Sequence, residues 1–485
     1  MVSERLGGRR DLVRRRSAAV RTGGGCSYRA RLVSVESPEN EDELRRVLAE
    51  ARRQGKRVCV RGAGLNQGGL SLDDDAVLVD TSRLNRILEI DAAQRTARVQ
   101  VGVTWDELRA ALGPHGLSTL CSQSYGVFTV GGSVSVNAHG RNVDTGVLAG
   151  TVLSLRVMLA DGSLVEASRA REPELFSLVL GGLGLFGVLV DVTLRLVANH
   201  VYVKSGVAVM PTSEYPAYFA RQIRSDPDIH FHYARLTVLE SEVWQRLFCL
   251  SFRRQDDDGS PGAVDSSRAD LLGRKDLAKH RLMLWAMRRL GWARRNRFGW
   301  EVIHRMRPER VRRNHVAREP WQALSAGGTR RADWLQEFFV PIDGFSSFIE
   351  KASQVLREED YRILNTTVRF VPRSDDAFLS YARQDCFAVV LFYEQRLATA
   401  AIRRTEALFR RLLDCALDSG GSYYLCYRRF ADPEQLRRAY PQIDEFFALK
   451  RKYDPGELFS NQFYAQYARS PREVLSWSRD LALPA

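Results

Sequence analysis

The spacing of hydrophobic and polar positions predicts helices in a few short segments. Between residues 41 and 54, apolar side chains recur three and four positions apart, at Leu44, Val47, Leu48 and Ala51, with charged residues around them. This period matches one face of an α-helix, so the segment predicts a short amphipathic helix. Two further helices are predicted over residues 104–112 and 396–418.

A different pattern, in which apolar and polar residues alternate, predicts β-strands along most of the chain. Such strands are predicted within residues 57–61, 151–168, 188–196 and 230–239, and buried strands are further predicted within residues 334–341, 366–371 and 387–392. Within the second segment, the pair Asp161-Gly162 is typical of a tight hairpin turn. Strands with short helices among them predict an α+β fold.

The stretch from Tyr125 to Asn142, YGVFTVGGSVSVNAHGRN, combines small residues with two adjacent glycines, Gly131 and Gly132. After the glycines, valines alternate with serines and an asparagine, which predicts a strand with one apolar and one polar row. Because glycine has no Cβ, a flat ligand or a phosphate could approach this backbone closely, so a cofactor is the natural candidate. The alternative is a glycine-rich hairpin with a hydrogen-bonded histidine, His139.

Two further glycine-rich loops, residues 62–69 (GAGLNQGG) and 181–187 (GGLGLFG), raise the question of a dinucleotide-binding fingerprint of the Rossmann type. That fingerprint requires a helix directly after the glycines. The first loop is followed instead by a further loop and then a strand, and the second loop is followed directly by a strand, so the Rossmann interpretation fails. The first loop still offers a series of backbone N–H groups, which suits an anion-binding nest.

The composition is that of a globular protein of two or three domains. The chain has 485 residues, 45% of them hydrophobic and 27% charged, close to the averages for folded domains. No run approaches the ~20 apolar residues of a membrane span. Seven scattered cysteines without a CxxC pair indicate reduced thiols in a cytoplasmic protein and no zinc site. His230 and His232 share a strand face, but without a third ligand nearby they do not predict a metal site.

Positive charge is concentrated in two segments of a chain whose formal net charge is +14. Residues 1–26 are rich in arginine and glycine and lack an apolar stretch, which predicts a mobile tail rather than an export signal. No aromatic residue is interleaved with these arginines, so a nucleic-acid-binding arm is not expected. Residues 271–302 combine three tryptophans with many cations. This pattern suits an anionic membrane surface and equally a helix packed on its own domain, and both interpretations stay open.

Five motifs in series resemble the FAD-binding (PCMH-type) fold of the vanillyl-alcohol oxidase family. They are VRGAGLNQGG, TVGGSVSVNAHGRN, GTVLSLRVMLADG, ELFSLVLGGLGLFGVLVDVTLRL and KRKYDPGELFSN. Their order and spacing match over residues 31–199, with a short return at the C-terminus. NAHGRN and YDPGELFSN are most similar to the corresponding motifs of decaprenylphosphoryl-ribose oxidase and of the aldonolactone and alditol oxidases.

The resemblance implies a two-subdomain FAD-binding fold joined to a substrate, or cap, domain with an antiparallel sheet and flanking helices. The expected division is a disordered basic tail over residues 1–30, an FAD-binding domain over 31–199, a cap domain over 200–420 that contains the basic segment 271–302, and a return to the FAD-binding domain over 421–485.

The resemblance further implies two groups of FAD-binding residues. Those expected around the pyrophosphate are Arg61, Gly62, Ala63, Gly64, Leu65, Asn66 and Gln67. Those expected along the isoalloxazine ring and ribityl chain are Thr129, Gly131, Gly132, Asn137, His139 and Gly140, with Tyr424 stacked on the ring and the backbone of Val188 at the adenine half. Leu65 stands where covalently linked relatives carry a histidine, and Cys121 is misplaced for the second known tether, so noncovalent FAD is predicted.

For catalysis, the resemblance implies hydride transfer from a carbon bearing oxygen or nitrogen to flavin N5, while a base removes the hydroxyl proton. Tyr427 stands where the ribose oxidase has a lysine, and Arg369 matches an arginine that these oxidases keep over the flavin. The expected base is Tyr427, with its phenol pKa lowered by Arg369 or Arg428. His139 is a competing acid or base, and Glu337 is the next candidate after it. The His-Trp-x-Lys motif of the aldonolactone oxidases is missing.

The primary functional prediction is an FAD-dependent dehydrogenase or oxidase that acts on the CH–OH group of a sugar or polyol, free or lipid-linked. Two alternatives stay open: an FAD-dependent reductase of a lipid C=C bond, and a non-catalytic flavin fold that binds a membrane surface. The expected location is the cytoplasm, with peripheral association at the inner face of the membrane as a further hypothesis. No nucleic-acid partner is expected.

Overall fold

The computed structural model describes residues 19–21, 28–238, 242–256, 310–318, 331–359, 361 and 363–468. Its strands are β1 (Ala19–Arg21), β2 (Arg29–Arg31), β3 (Ser34–Glu36), β4 (Val58–Arg61), β5 (Val77–Asp80), β6 (Ile87–Asp91), β7 (Thr96–Gln100), β8 (Leu117–Thr119), β9 (Val152–Met158), β10 (Leu164–Ser168), β11 (Val188–Ala198), β12 (Val201–Pro211), β13 (Ile229–Leu236), β14 (Arg246–Gln255), β15 (Arg310–Arg312), β16 (Arg331–Pro341), β17 (Ile363–Val371), β18 (Cys386–Arg396) and β19 (Ser422–Tyr423). Its α-helices are α1 (Glu41–Arg53), α2 (Trp105–Leu112), α3 (Val130–Ser135), α4 (Pro173–Val179), α5 (Tyr215–Tyr218), α6 (Arg313–Val316), α7 (Phe345–Glu358), α8 (Thr399–Leu417), α9 (Pro433–Ala439), α10 (Ile443–Tyr453) and α11 (Gln462–Tyr467).

A small parallel sheet with the order β3-β5-β4 carries the first glycine loop at its edge. Helix α1 packs through Leu44 and Leu48 into the same core as Val58, and Asn40 caps it by accepting a hydrogen bond from the Glu43 amide. Because parallel strands end at the same edge, the loop that follows β4 emerges beside the end of β5. The predicted helix over 41–54 and the strand over 57–61 are confirmed.

A second, antiparallel sheet has the order β10-β9-β11-β7-β6, with β8 paired to β11. Strands β9 and β10 form the hairpin predicted at Asp161-Gly162, where Gly162 adopts a φ of 89°. Helix α2 begins at a capping box between Thr104 and Glu107. This sheet supports the stretch from Tyr125 to Asn142 that follows α2.

The third sheet has the order β15-β12-β14-β13-β17-β18-β16-β19 and contains the strands predicted within 230–239, 334–341, 366–371 and 387–392. On one face Phe338 packs against Phe348 of α7 and Phe409 of α8. The opposite face carries Phe339, which contacts the His139 ring. We call this opposite face the site face. The third sheet therefore has helices on one face and the FAD-binding segments on the site face. This arrangement confirms the predicted α+β architecture.

The C-terminal motif KRKYDPGELFSN returns to the first sheet. Phe459 forms a parallel bridge with Val58, and the Ser460 amide donates to the Val58 carbonyl at 2.9 Å. A buried ion pair, Lys450 with Asp454 at 2.7 Å, holds the turn before it. The preceding residues 422–423 pair instead with β16, so the chain crosses between the two sheets after β19. The exact boundaries at residues 199 and 420 stay a prediction.

The structure corrects one expectation from the sequence, and a second expectation concerns residues that lie outside the described part of the chain. Order was expected to begin near residue 31, but β1 pairs with β2 over residues 19–21 and 29–31; apolar content alone gave no signal for so short a ribbon. The basic segment 271–302 lies outside the described residues. None of the helices in the described part is long and apolar enough to cross a membrane.

Candidate active site

Two side chains from distant parts of the sequence meet at the centre of the site. The Nε2 atom of His139 lies 2.7 Å from Oε1 of Glu337, and the exposed fractions are 6% and 2%. Glu337 projects from β16 on the site face, while His139 follows α3. A buried carboxyl group next to a histidine can hold or release a proton, so this pair is a candidate acid–base unit.

Aromatic rings enclose His139. Phe339, Tyr381 and Tyr424 lie with ring centroids 5.5, 6.0 and 6.0 Å from the imidazole. The Nδ1 atom of His139 is buried and has no hydrogen-bond partner among the described residues. In the tautomer that donates from Nε2 to Glu337, Nδ1 is a free acceptor. An unpaired buried acceptor is costly unless a bound group supplies a donor, so a ligand is expected here.

The backbone before His139 is fixed by two tyrosines that are distant from it in the sequence. The Tyr424 hydroxyl donates to the Val136 carbonyl at 2.9 Å, and the Tyr381 hydroxyl donates to the Asn137 carbonyl at 2.6 Å. Asn137 adopts a left-handed conformation with a φ of 46°, and its side chain accepts from the Ala149 amide. Asparagine tolerates this conformation better than most residues. Asn137 therefore shapes the turn that positions His139. Tyr424 stabilises this turn through its hydrogen bond to the Val136 carbonyl.

The first glycine loop presents its backbone amides without acceptors. Among the described residues, none accepts a hydrogen bond from the N–H groups of residues 62–66. Gly64 has a φ of 70°, and a Cβ on Gly62 would stand 2.2 Å from the Thr129 hydroxyl. The loop is thus folded so that it touches the start of α3 while its amides stay free. A run of free amides in a turn is a nest for an anion such as a pyrophosphate.

Side chains of this loop serve mainly to hold it in place. Arg61 is paired with Asp80 at 2.6 Å. Asn66 accepts from the Leu70 amide. Gln67 accepts from the Leu335 amide at 2.8 Å, which ties the loop to β16 two residues before Glu337. Ala63 and Leu65 lie in the loop as exposed and half-buried residues. Their places match the predicted pyrophosphate site, and contacts with FAD stay a prediction.

The predicted strand through the central stretch is wrong, because residues 130–135 form α3. Thr129 caps this helix, and Val130 and Val134, four positions apart, are both buried. The valines follow a helical spacing that alternation with the serines concealed. Gly131 is required by packing, since a Cβ there would lie 2.4 Å from the Val101 side chain.

The remaining glycines of the stretch differ in their surroundings. A Cβ on Gly132 would meet only the Thr129 hydroxyl, at 3.0 Å, among the described atoms within 4 Å. A Cβ on Gly140 would lie 2.8 Å from the Asn142 side chain and 3.0 Å from the Ser122 carbonyl. Gly132 therefore leaves room for a ligand, whereas Gly140 is required by protein packing.

Tyr427 lies half-buried beside this site, but its predicted acidity is wrong. Burial raises the pKa of Tyr427 well above its usual range, nearby Glu337 raises it further, and Arg369 only partly opposes them. The sequence argument considered the arginines and missed the desolvation of the phenol. Tyr427 therefore keeps its proton at neutral pH. Its ring lies edge-on to Tyr424 with centroids 5.5 Å apart.

Other predicted residues are placed as follows. Val188 begins β11, pairs with Met158 and is fully buried in the core; an adenine contact by its backbone stays a prediction. Cys121 is 2% exposed, and burial raises its thiol pKa to about 12. His232 is buried between Tyr215 and Ser251. No group of three potential metal ligands occurs among the described residues.

Comparisons with known proteins agree with this geometry. An FAD binding domain matches residues 34–168, and a D-arabinono-1,4-lactone oxidase domain matches residues 303–468. L-gulonolactone oxidase of Bos taurus is 23% identical over 441 residues, 88% of this chain and 93% of that protein. Mitochondrial L-galactono-1,4-lactone dehydrogenase of Arabidopsis thaliana is 30% identical over 167 residues, 34% of this chain and 27% of that protein.

Fold, site and comparisons define an FAD-dependent oxidoreductase that acts on a CH–OH group. An FAD-binding match over residues 34–168 thus stands beside a lactone oxidase match over residues 303–468, and the chain is similar to L-gulonolactone oxidase over 88% of its length. The predicted resemblance to aldonolactone oxidases is confirmed to this extent. Similarity to decaprenylphosphoryl-ribose oxidase stays a prediction.

The residues present fit FAD. The free amides of residues 62–66 suit its pyrophosphate, the open side of Gly132 admits a flat group, and the buried Nδ1 of His139 needs a donor. Gly62 brings the first loop against α3, so these features belong to one connected surface. Sequence reasoning ranked Glu337 below Tyr427. Its signal was a single acidic residue within the otherwise apolar strand LQEFFVP.

Proposed function

We propose that this protein oxidises the CH–OH carbon of a sugar lactone or a related sugar acid. The observation that carries the proposal is the His139–Glu337 pair, which places a buried carboxyl group beside the surface that fits FAD. The lactone oxidase match over residues 303–468 includes Glu337, and names of two relatives specify gulonolactone and galactonolactone. Sugar lactones carry the hydroxyl-bearing carbons that this chemistry requires.

In the proposed mechanism, Glu337 accepts the hydroxyl proton through Oε2, the carboxyl oxygen that does not contact His139. His139 donates to Oε1 and holds the carboxylate in a single orientation. Bound FAD would supply the acceptor for the hydride that leaves the carbon bearing this hydroxyl group. The aromatic rings of Phe339, Tyr381 and Tyr424 exclude water from the pair.

Arg369 stands on the same sheet face as Glu337, two strands away. Its positive charge would stabilise negative charge that develops on the oxidised oxygen or on the cofactor. Tyr427, with its raised pKa, would act as a hydrogen-bond donor to substrate rather than as a base. The predicted base is thereby reassigned to Glu337, while a catalytic contribution of Tyr427, Arg369 and His139 remains part of the proposal.

Anaerobic mixing of the purified, FAD-loaded protein with sugar lactones, free polyols and unsaturated lipids tests the function. The proposal expects loss of the yellow colour of oxidised flavin with lactones. Bleaching by polyols but not by lactones would indicate that the substrate is a polyol and not a lactone. A chemically reduced protein that is reoxidised by an unsaturated lipid, with no bleaching by any alcohol, would contradict the proposal and favour the reductase alternative.

A further inference from the structure

Three arginines cross the site face of the large sheet next to the proposed active site. They are Arg246 on β14, Arg235 on β13 and Arg369 on β17. In the strand register, Arg235 pairs with Phe248 on one side and with Thr367 on the other. Arg246 therefore lies two residues before one partner, and Arg369 lies two residues after the other. Diagonal neighbours of this kind are about 7–8 Å apart, so the three side chains form a continuous diagonal row, here called the arginine row.

Two members of the arginine row have positive charge that no described carboxylate neutralises. Neither Arg246 nor Arg369 forms an ion pair with a described residue, and the Nε atom of each is buried without an acceptor. By contrast, Arg254 on the same strand as Arg246 pairs with Asp228 at 3.0 Å. Buried N–H groups of a cation are costly to leave without acceptors. The Nε–H groups of Arg246 and Arg369 could therefore be satisfied by an anionic ligand.

The surroundings of Arg235 extend this cationic surface towards the His139 segment. Arg235 is 8% exposed, and its guanidinium lies 5.6 Å from the centroid of the Tyr233 ring. The guanidinium of Arg141, two residues after His139, lies 5.0 Å from the same centroid. Both guanidinium groups thus lie near the ring of Tyr233. This arrangement concentrates positive charge between the active-site histidine and the arginine row.

The distance from Glu337 suits a group at the far end of the substrate. Strands in a sheet are about 4.8 Å apart, and the order β13-β17-β18-β16 places Arg369 two strands and Arg235 three strands from Glu337. At the level of the backbone, the row therefore begins about 10 Å from Glu337 and continues beyond about 14 Å. Arginine side chains can span part of that separation. A sugar oxidised next to Glu337 could therefore reach the row with a substituent remote from the reacting carbon.

We propose that the substrate carries a phosphate ester or a carboxylate at the end remote from the oxidised carbon, and that Arg235 and Arg246 bind this anionic group, while Arg369 lies between them and Glu337. The inference rests on the proposed function, because it names the substrate class of the same site. Arginine pairs with both anions through charge-assisted hydrogen bonds. The cationic row thereby selects a charged sugar lactone or sugar acid over an uncharged lactone of the same size.

The test compares three substrates in anaerobic flavin reduction by the FAD-loaded protein: a neutral aldono-1,4-lactone, the same lactone phosphorylated at its terminal carbon, and the lactone with a terminal carboxylate. We expect at least a tenfold lower half-saturating concentration for one of the anionic substrates. The phosphate and carboxylate arms identify which anion the row binds. Inorganic phosphate is expected to compete with the preferred substrate in the unmodified protein, which requires no variant.

Substitution then locates the anion. Arg246→Gln is expected to raise the half-saturating concentration of the anionic substrate about 10- to 100-fold, the usual size of a lost charge-assisted bond. The matched control Arg254→Gln, on the same strand but paired with Asp228, should leave reduction by all three substrates unchanged. Equal or better reduction by the neutral lactone, without competition by phosphate, would overturn the inference while supporting the proposed function. Failure of all three substrates to reduce the flavin would contradict the proposed function itself.

Discussion

Glu337 and His139 are 198 residues apart in the chain, yet their side chains meet at 2.7 Å in a buried setting. Each is positioned by a different part of the fold: Glu337 by the register of β16, and His139 by the turn at Asn137 and the hydroxyl of Tyr381. The contact joins the FAD-binding segment to the large sheet. It is therefore both a structural link and the centre of the proposed chemistry.

The first prediction concerns Gln67, which links the glycine loop to β16. Gln67→Ala removes the acceptor of the Leu335 amide, and an amide left without its partner costs about 1–3 kcal/mol. The loop should lose its fixed position, so FAD should bind roughly tenfold more weakly. Fluorescence titration of the apoprotein with FAD measures the change. Gln94→Ala, in the exposed turn between β6 and β7, is the control; equal FAD affinity in both variants would refute the anchoring role.

The second prediction is that FAD is held without a covalent bond. Leu65 has no group that can attach to the flavin, and Cys121 is buried with its pKa raised to about 12, so its thiol stays protonated and is a poor nucleophile. Acid precipitation of the purified protein should leave the yellow colour in the supernatant. Colour that remains in the washed pellet would show a covalent link and contradict this prediction.

The third prediction concerns acid stability through His232. This histidine is fully buried, and burial lowers its pKa to about 3, against about 6.5 in an unfolded chain. Below pH 6.5 the unfolded state takes up a proton that the folded state refuses, so stability falls as the pH falls towards 3. Between pH 7 and pH 5 this linkage removes about 2 kcal/mol of unfolding free energy.

Urea unfolding at those two pH values measures the loss. The variant His232→Gln can keep hydrogen bonds to Tyr215 and Ser251 but cannot titrate. Its unfolding free energy should therefore fall by about 2 kcal/mol less than that of the parent protein over the same pH change. An identical fall in both proteins would refute the assignment to His232.

The fourth prediction concerns the buried ion pair of the C-terminal return. Asp454 accepts hydrogen bonds from the Leu458 and Phe459 amides as well as from Lys450. Asp454→Ala would leave the Lys450 ammonium buried without its counter-ion, which costs about 3–5 kcal/mol. Thermal unfolding should show a clearly lower Tm. The exposed pair of Arg437 and Asp444 supplies the control: Asp444→Ala should change the Tm little, because solvent screens an exposed pair, and equal losses in both variants would contradict the prediction.

These relationships show which features local sequence could predict. The helix α1 and the strand β4 follow from spacing within a few residues, because Leu44 and Leu48 need no distant partner to define a helical face. Residues 130–135 were misassigned because the same valines fit both a period of two and a helical spacing. The N-cap at Thr129 and the close packing of Gly131 against Val101 stabilise the helix rather than a strand over these residues.

The site itself was only partly accessible from sequence. The glycine loop at 62–67 and the turn at His139 were identified from local motifs, and the structure brings them together at Gly62 and Thr129. The partner of His139 could not be found in this way, since it depends on the register of β16. The acidity of Tyr427 depends on desolvation, which no local pattern encodes. Both features depend on packing between distant parts of the chain, so local sequence patterns could not predict them.

The central claim is that Glu337, held by His139, takes the substrate proton. Anaerobic stopped-flow reduction of the FAD-loaded protein by its best sugar lactone tests it in Glu337→Gln and in Tyr427→Phe, with FAD content measured in each. We expect Glu337→Gln to slow flavin reduction about 10²- to 10⁴-fold, the usual size of general-base catalysis, and Tyr427→Phe to slow it less than about tenfold. Flavin reduction in Glu337→Gln at the parent rate, or a larger loss in Tyr427→Phe, would contradict the account.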